Sequence, residues 1–175
     1  MISNKPNFII RPINRSNTGE IELVASRMRE TLVEVVGQER GTAMYTMDWL
    51  IQRVLFHLDP SQSTAQVYVS ESSDGHLSGH CIVRKEFDDQ GAPYGLFSTT
   101  YVEPQSRRLG IANALLVHGE EWMHNLGLTM VATATSKTNE KLIKMYFKHG
   151  YKMVVTTDEM VRLEKRLLNK GDAHA

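Results

Sequence analysis

The chain has 175 residues and carries 20 Lys and Arg against 20 Asp and Glu, so its formal charge at pH 7 is zero. Hydrophobic residues make up 41% and charged residues 23%, which is typical of a soluble globular domain and excludes disordered, collagen-like and coiled-coil chains. The balanced charge also argues against a nucleic-acid partner, because proteins that bind nucleic acids usually carry a basic excess.

The sequence lacks the long apolar segments used for membrane insertion or export. No apolar run approaches the ~20 residues that a membrane helix needs, and no basic segment near the N-terminus is followed by an apolar one. Cys81 is the single cysteine, so no internal disulfide can form. We therefore expect no membrane partner and a cytoplasmic location.

The first hundred residues predict one strand, two helices and three further strands. Pro12 interrupts a short apolar segment, which is typical of an edge strand, and two stretches of apolar residues at helical spacing follow it. Turn residues then separate segments of alternating or continuous apolar character, which predicts antiparallel hairpins. The predicted elements are a strand at 8–13, helices at about 18–36 and 43–58, and strands at 66–70, 77–87 and 94–102.

The remaining residues predict alternating helices and strands. These elements are a helix at about 110–125, a strand at 128–134, a helix at 139–149, and strands at 151–155 and 160–166. The chain shows no internal repeat and no linker. We expect a single α/β domain over residues 7–167 with a flexible tail at 168–175.

The most informative segment joins the strand ending at Val102 to the following helix. Arg107 and Arg108 precede Gly110, where that helix begins, and unpaired N–H groups at a helix start attract anions. Gly110 and Ala112 leave room for a diphosphate close to the backbone. A P-loop and a three-glycine Rossmann fingerprint are both absent from the sequence.

Two spaced motifs resemble the GNAT N-acetyltransferase superfamily. Arg107-x-x-Gly110-x-Ala112, directly after a strand and Pro104, resembles the family's acyl-CoA pyrophosphate motif. Downstream, Asn139 is followed by Tyr146 and then by Gly150 and an aromatic residue, which is similar to the family's second conserved block.

The resemblance implies a mixed, mostly antiparallel central sheet flanked by about four helices, with two strands splayed to hold coenzyme A. It implies that acetyl-CoA is the co-substrate and that the pantetheine amides pair with backbone near Tyr101 and Val102. The implied cofactor-binding residues are Tyr101, Val102, Arg107, Arg108, Leu109, Gly110, Ile111, Ala112 and Asn139.

By the same analogy Tyr146 donates a proton to the departing thiolate, as a phenol with a pKa near ~10 is protonated at neutral pH. Packing in the core is the alternative role for this tyrosine. Many family members carry a carboxylate a few residues before the Val-x-Pro segment, but residues 97–100 contain none. Glu86 and His80 are the remaining candidates for a general base, each with a structural alternative, and the base stays unassigned.

Several other residues are better explained by structure than by chemistry. Asn139 is expected to cap its helix, a role that is compatible with a contact to the cofactor, and Cys81 is expected to be a core thiol. His118 and His124 lie six apart on a helix and do not share a face, so no metal site is predicted. Lys141, Lys144 and Lys148 are expected to face solvent, and Met44, Met47 and Trp49 either pack in the core or line the acceptor pocket.

The resemblance thus predicts an N-acetyltransferase that moves an acetyl group directly to a primary amine of a small molecule or peptide. The alternative is a GNAT-like module that binds acyl-CoA as a sensor or scaffold without turnover. Residues 1–100 carry a net charge of −3 and residues 101–175 a net +3, so an anionic cofactor and a cationic amine would suit opposite halves. The acceptor, the acyl chain length and the choice between monomer and homodimer stay open.

Overall fold

The computed structural model describes residues 7–168, which form seven strands and five α-helices. The expected tail at 168–175 lies outside the described residues apart from Leu168. The strands are β1 (Phe8–Pro12), β2 (Ala65–Ser72), β3 (Leu77–Phe87), β4 (Pro93–Val102), β5 (Met130–Ser136), β6 (Lys152–Thr156) and β7 (Met160–Arg166). The helices are α1 (Thr18–Val36), α2 (Gln38–Ala43), α3 (Met47–Leu58), α4 (Ile111–Asn125) and α5 (Glu140–Lys148).

One sheet contains all seven strands in the order β1-β2-β3-β4-β5-β7-β6. Every neighbouring pair is antiparallel except β4 and β5, which are parallel and connected by α4. A parallel pair needs such a crossover because the chain must return to the starting edge of the sheet. The predicted mixed, mostly antiparallel sheet is therefore confirmed.

The helices divide between the two sides of the sheet. On one side, α1 and α3 pack through Val24, Leu50 and Val54 onto residues of β2 and β3. On the other side, α4 and α5 pack through Leu115 and Ile143 onto a second buried cluster. We call these sides the α1–α3 face and the α4–α5 face.

Local capping explains where the N-terminal helices begin and end. The Asn17 side chain accepts a hydrogen bond from the Glu20 N–H at the start of α1, and Gly37, with φ +91°, ends this helix. The Thr46 hydroxyl accepts from the Trp49 N–H and starts α3. The prediction of one helix from residue 43 was therefore wrong: α2 is a separate short helix, and α3 begins at Met47.

A close approach fixes α4 against β4. Gly119 of α4 lies over the ring of Phe97, and a Cβ at Gly119 would be 2.5 Å from that ring. Leu115 and Met123, one helical turn away on either side, are fully buried against the same strands. The glycine thus allows α4 to lie close to the strand that positions the candidate site.

Candidate active site

The parallel strands β4 and β5 separate shortly after they meet. They pair only over Gly95–Phe97 and Val131–Thr133, where the Thr133 hydroxyl donates to the Phe97 carbonyl at 3.1 Å. Beyond this point β4 continues to Val102 and β5 to Ser136 without pairing to each other. We call the opening between these two strand ends the fork.

A bulge on β4 lies at the base of the fork. Ile82 of β3 pairs with Thr99 and the next residue, Val83, pairs with Phe97, so Ser98 is the extra residue. Bulges redirect side chains and backbone groups, and they are common beside functional sites.

Strand alternation determines which backbone groups face the fork. The Glu103 N–H donates to the Ser78 carbonyl on β3 at 2.9 Å, and the Tyr101 carbonyl also lies against β3, 2.6 Å from where a Cβ on Gly79 would be. The N–H and C=O groups of Thr100 and Val102 therefore point the other way, towards the fork. The Tyr101 backbone is paired with β3, so of the two residues expected to contact the cofactor through their backbone, Val102 has groups that face the fork and Tyr101 does not.

Tyr146 of α5 lies on the α4–α5 face of the fork. Its side chain is fully buried, edge-on to Phe97 and Tyr151, with ring centroids 6.0 and 4.7 Å away. Its hydroxyl has no hydrogen-bond partner among the described residues. Buried hydroxyls are nearly always paired. Burial raises the pKa of Tyr146 and keeps the phenol neutral. The Thr100 and Thr133 side chains lie close enough to lower that pKa by smaller amounts but make no hydrogen bond with the hydroxyl, which leaves the donor available to a bound group.

The loop after β4 leads to α4 through two left-handed residues. Arg108 has φ +67° and Gly110 has φ +86°, and a Cβ on Gly110 would meet nothing within 4 Å. Such conformations turn consecutive N–H groups into an anion-binding concavity. The first turn of α4, with Ile111 and Ala112, has no side-chain cap, so its N–H groups stay available. The exposed side chains of Arg108 and Leu109 point away from the core.

Arg107 is already engaged by the protein. Its Nε donates to the Val102 carbonyl at 2.8 Å, and its terminal nitrogen forms an ion pair with Glu34 of α1, also at 2.8 Å. The residue therefore ties the loop to α1. Of the two arginines, Arg108 is the one whose charge faces solvent at the loop.

Asn139 precedes α5 at the far end of the fork but does not cap it by its side chain. Its amide nitrogen instead donates to the Thr135 hydroxyl of β5 at 3.2 Å. The expectation of a side-chain cap was therefore wrong, and Asn139 ties the start of α5 to the strand that borders the fork.

A buried ion network below the loop was not anticipated from the sequence. The Glu103 carboxylate, 7% exposed, accepts from Arg27 of α1 at 3.0 Å, from His76 at 2.7 Å and from the Ser106 hydroxyl at 2.7 Å. Arg27 also lies over the ring of Tyr101, 5.5 Å from its centroid. The network holds α1, the β2–β3 turn and the loop after β4 in one arrangement. In the sequence, the one indication of this network is that Glu103 lies between Val102 and Pro104, directly after the end of β4.

A second network lies on the α1–α3 face at the bulge. The guanidinium of Arg84 contacts His57 Nε2 at 2.9 Å and the Ser98 hydroxyl at 3.3 Å, and it pairs with Glu86. His57 Nδ1 lies 2.7 Å from the Arg53 carbonyl, so Nδ1 carries the hydrogen and Nε2 accepts from Arg84. Burial lowers the pKa of His57 to about 4, which keeps the ring neutral.

Neither candidate for a general base is suited to that role, although His80 Nδ1 has no hydrogen-bond partner within residues 7–168. His80 is buried, contacts the Thr99 hydroxyl at 3.2 Å, and has its pKa lowered by burial to about 3, so its imidazole is a weak base. Glu86 is committed to Arg84. Cys81 is fully buried, and burial raises the pKa of its thiol, which makes it unreactive, as predicted.

The remaining candidates divide between solvent and the α1–α3 face. Trp49 and Tyr45 stack with centroids 4.2 Å apart and are 44% and 38% exposed, so Trp49 is not a core residue. The three lysines of α5 are exposed, as predicted. Within residues 7–168, no cluster of three or more His, Cys, Asp or Glu side chains could hold a metal ion. No helix in the same range is long and apolar enough to cross a membrane.

Comparison with known proteins places this geometry in a family. The model of the acetyltransferase (GNAT) family matches residues 27–151, which include the fork, the loop and Tyr146. The match covers well over half of the chain.

Solved structures share the fold at low sequence identity. The PaiA N-acetyltransferase of Thermoplasma acidophilum, solved with coenzyme A, superposes with a TM-score of 0.72 at 17% identity, over 91% of this chain and 99% of that one. Ard1 of Thermoplasma volcanium gives 0.64 at 16% identity, over 93% and 99%. A chain of the NatC complex bound to Gag peptide and coenzyme A gives 0.67 at 14% identity, over 93% and 99%.

Proposed function

Because the chain belongs to the GNAT acetyltransferase family, we propose that it is an N-acetyltransferase that moves an acetyl group from acetyl-CoA directly to a primary amine. Family membership makes the chain an acyltransferase with acetyl-CoA as co-substrate. The proposal adds the amine acceptor, the direct transfer and the residues that perform it. The observation that carries it is the buried, unpartnered hydroxyl of Tyr146 at the fork.

The residues around the fork fit coenzyme A. Thr100 offers its fork-facing backbone groups to the pantetheine amides, in the way that a free strand edge binds an extended chain, whereas the Val102 carbonyl already accepts from Arg107. The loop from Arg107 to Ala112 would hold the diphosphate through its N–H groups and the charge of Arg108. Asn139 borders the same opening from β5.

Acetyl-CoA supplies the acetyl group as a thioester, and the chain must orient it and provide a proton for the sulfur. Tyr146 holds that proton at its hydroxyl, and burial keeps the phenol protonated over the neutral range. The fork-facing N–H of Val102 is a donor for the acetyl carbonyl oxygen. We assign no general base, because burial lowers the pKa of His80 to about 3 and Glu86 is paired with Arg84.

Replacing Tyr146 by Phe separates a catalytic role from a structural one. The hydroxyl has no hydrogen-bond partner within residues 7–168, so its removal is expected to leave the free energy of unfolding unchanged or slightly higher. Turnover, measured as thiol release with a panel of amines, should fall about 100-fold, while calorimetry should find little change in coenzyme A affinity.

Tyr151→Phe is the matched control. The Tyr151 hydroxyl is buried beside Tyr146 but donates to Glu120 at 2.7 Å, so its loss should lower stability and leave turnover intact. An unchanged rate for Tyr146→Phe would remove that residue from the mechanism.

A non-catalytic acyl-CoA sensor or scaffold is the second candidate, favoured by the absence of a carboxylate between Phe97 and Thr100. Saturable acetyl-CoA binding without thiol release from any amine would support it against the proposal. Gly110→Glu, which places a negative charge and a disfavoured φ in the loop, should abolish binding under either function.

A further inference from the structure

The α1–α3 face of the fork carries positive charge close to the point where β4 and β5 separate. Arg84 reaches Ser98, the bulged residue, at 3.3 Å, so its guanidinium lies directly at the base of the fork. Arg53 of α3 lies one helical turn before His57, which contacts Arg84, and the charge of its guanidinium interacts with that of Arg84. The two guanidinium groups therefore occupy one region, opposite the face that carries Tyr146.

Arg53 has no carboxylate within ion-pair distance among residues 7–168, whereas Arg84 is paired with Glu86. The described contact of the Arg53 guanidinium is with the ring of Phe56 on its own helix, 4.6 Å away. Burial lowers the pKa of Arg53 and the neighbouring Arg84 charge lowers it further, while Glu86 and Tyr45 raise it by smaller amounts. The group is thus partly desolvated beside a like charge.

The local charge does not cancel. Arg84 and Glu86 neutralise each other, and His57 is neutral, so Arg53 leaves the region with one net positive charge. Keeping such a charge half-buried costs stability unless an anion arrives to pair with it. The net charge around Arg53 is positive, although residues 1–100 together carry −3. The net charge of that part of the sequence therefore does not predict the charge at this site.

An aromatic surface adjoins Arg53. Trp49 lies four residues before Arg53, on the same face of α3, and it stacks on Tyr45 with an angle of 15° between the rings. Both rings are more than a third exposed, so they offer a flat apolar surface beside the cation.

We propose that the acceptor is a primary amine that also carries a carboxylate, which Arg53 binds beside Arg84 while the body of the acceptor packs on Tyr45 and Trp49. Guanidinium groups bind carboxylates through paired N–H donors, and this contact would orient the amine towards the fork. The inference rests on the proposed function and names the substrate class for the same site. It excludes a simple polyamine as the preferred acceptor.

Matched acceptors test the charge directly. Phenylalanine, its amide and phenethylamine share an aromatic body and an amine, but only the first carries a carboxylate. Tyrosine and tyramine form a second pair. We expect kcat/KM, measured by thiol release, to be at least about tenfold higher for the carboxylated member of each set.

Arg53→Gln should remove this preference by raising KM for phenylalanine about tenfold, with little change for phenethylamine. Arg53→Lys should restore part of it, because charge returns without the paired donors. Lys152→Gln, on the exposed edge strand β6, removes one positive charge elsewhere and should change neither substrate. Independently of activity, Arg53→Gln should raise the melting temperature, because it removes an unpaired, partly desolvated charge.

The outcomes distinguish a failure of the carboxylate preference from a failure of the proposed acetyltransferase activity. Equal or better turnover of phenethylamine and the amide overturns the carboxylate inference while leaving the acetyltransferase intact. An equal loss for all acceptors in Arg53→Gln also overturns it, because that pattern indicates a structural role. Thiol release from no acceptor of any kind contradicts the proposed function itself.

Discussion

On the α4–α5 face of the fork, the central side chain is Tyr146, which is neutral, fully buried and unpartnered at its hydroxyl. On the α1–α3 face, the corresponding region contains Arg53, Arg84 and Glu86, which are charged and only partly buried. A neutral donor in a dry site can serve a developing thiolate without an ionic competitor. Charged groups act over longer distances than a neutral donor, so they are better suited to selecting and orienting an acceptor that arrives from solution.

The two faces also differ in how they are held together. The α4–α5 face depends on close apolar packing, such as Gly119 against Phe97. The α1–α3 face has an apolar cluster as well, but it also contains buried ion pairs, above all that of Arg27 with Glu103. Substitutions should therefore damage the faces by different physical routes, which can be measured separately.

The largest expected effect is that of Glu103→Gln. This change leaves the guanidinium of Arg27, 8% exposed, without its counter-charge, and it should lower the free energy of unfolding by about 3 kcal/mol. Urea unfolding measures the loss. Glu159→Gln, which breaks the exposed pair with Arg40, should cost almost nothing. Equal stability of these two variants would show that the α1–α3 face does not depend on buried ion pairs.

Gly119→Ala tests the packing of the other face. The added methyl group would lie 2.5 Å from the Phe97 ring, so helix and strand must move apart, at a cost of about 2 kcal/mol. Phe97→Leu, made in the same background, should recover part of that stability by vacating the space. A double-mutant cycle gives the coupling between the two positions, and additive effects would contradict the contact.

The smallest expected effect is the response of the α1–α3 face to acid. Burial lowers the pKa of His57 to about 4 and that of His80 to about 3, whereas both rings titrate near their ordinary value in the unfolded chain. As the pH falls, the unfolded state therefore binds protons before the folded state does. The free energy of unfolding is highest above pH ~6.5 and decreases below it. Each histidine should contribute a loss of about 1 kcal/mol between pH 7 and pH 5.5.

His80→Gln should reduce this pH dependence without altering its direction. Unfolding at several pH values gives the slope, and Tyr146→Phe serves as a control that should leave it unchanged. A slope identical in wild type and His80→Gln would contradict a neutral, buried imidazole at this position.

The sequence was sufficient for features that are local in the chain. The loop from Arg107 to Ala112 and the spacing from Asn139 to Tyr146 each lie within a dozen residues, and the family and the mixed sheet followed from them. The bounds of most strands were predicted to within two residues for the same reason.

Features that join distant residues could not be predicted. Glu103 and Arg27 are 76 residues apart, and Arg84 and His57 are 27 apart, so no periodicity connects them. The direction of the Tyr101 backbone depends on the register between β3 and β4, which the bulge at Ser98 shifts. The separate helix α2 was missed because the Thr46 cap interrupts an apolar pattern that looks continuous.

The short contact between β4 and β5 has a consequence for the whole fold. Within residues 7–168, three residues of β4 and three of β5 pair to join β1–β4 to the other three strands, so the sheet consists of two parts connected by a short parallel ladder. An extended molecule bound in the fork would contact both parts of the sheet and bridge β4 and β5 where they do not pair with each other. A ligand that binds only the native state raises the free energy of unfolding as its concentration rises. The stability of the contact between the two parts of the sheet would therefore depend on the cellular concentration of such a molecule.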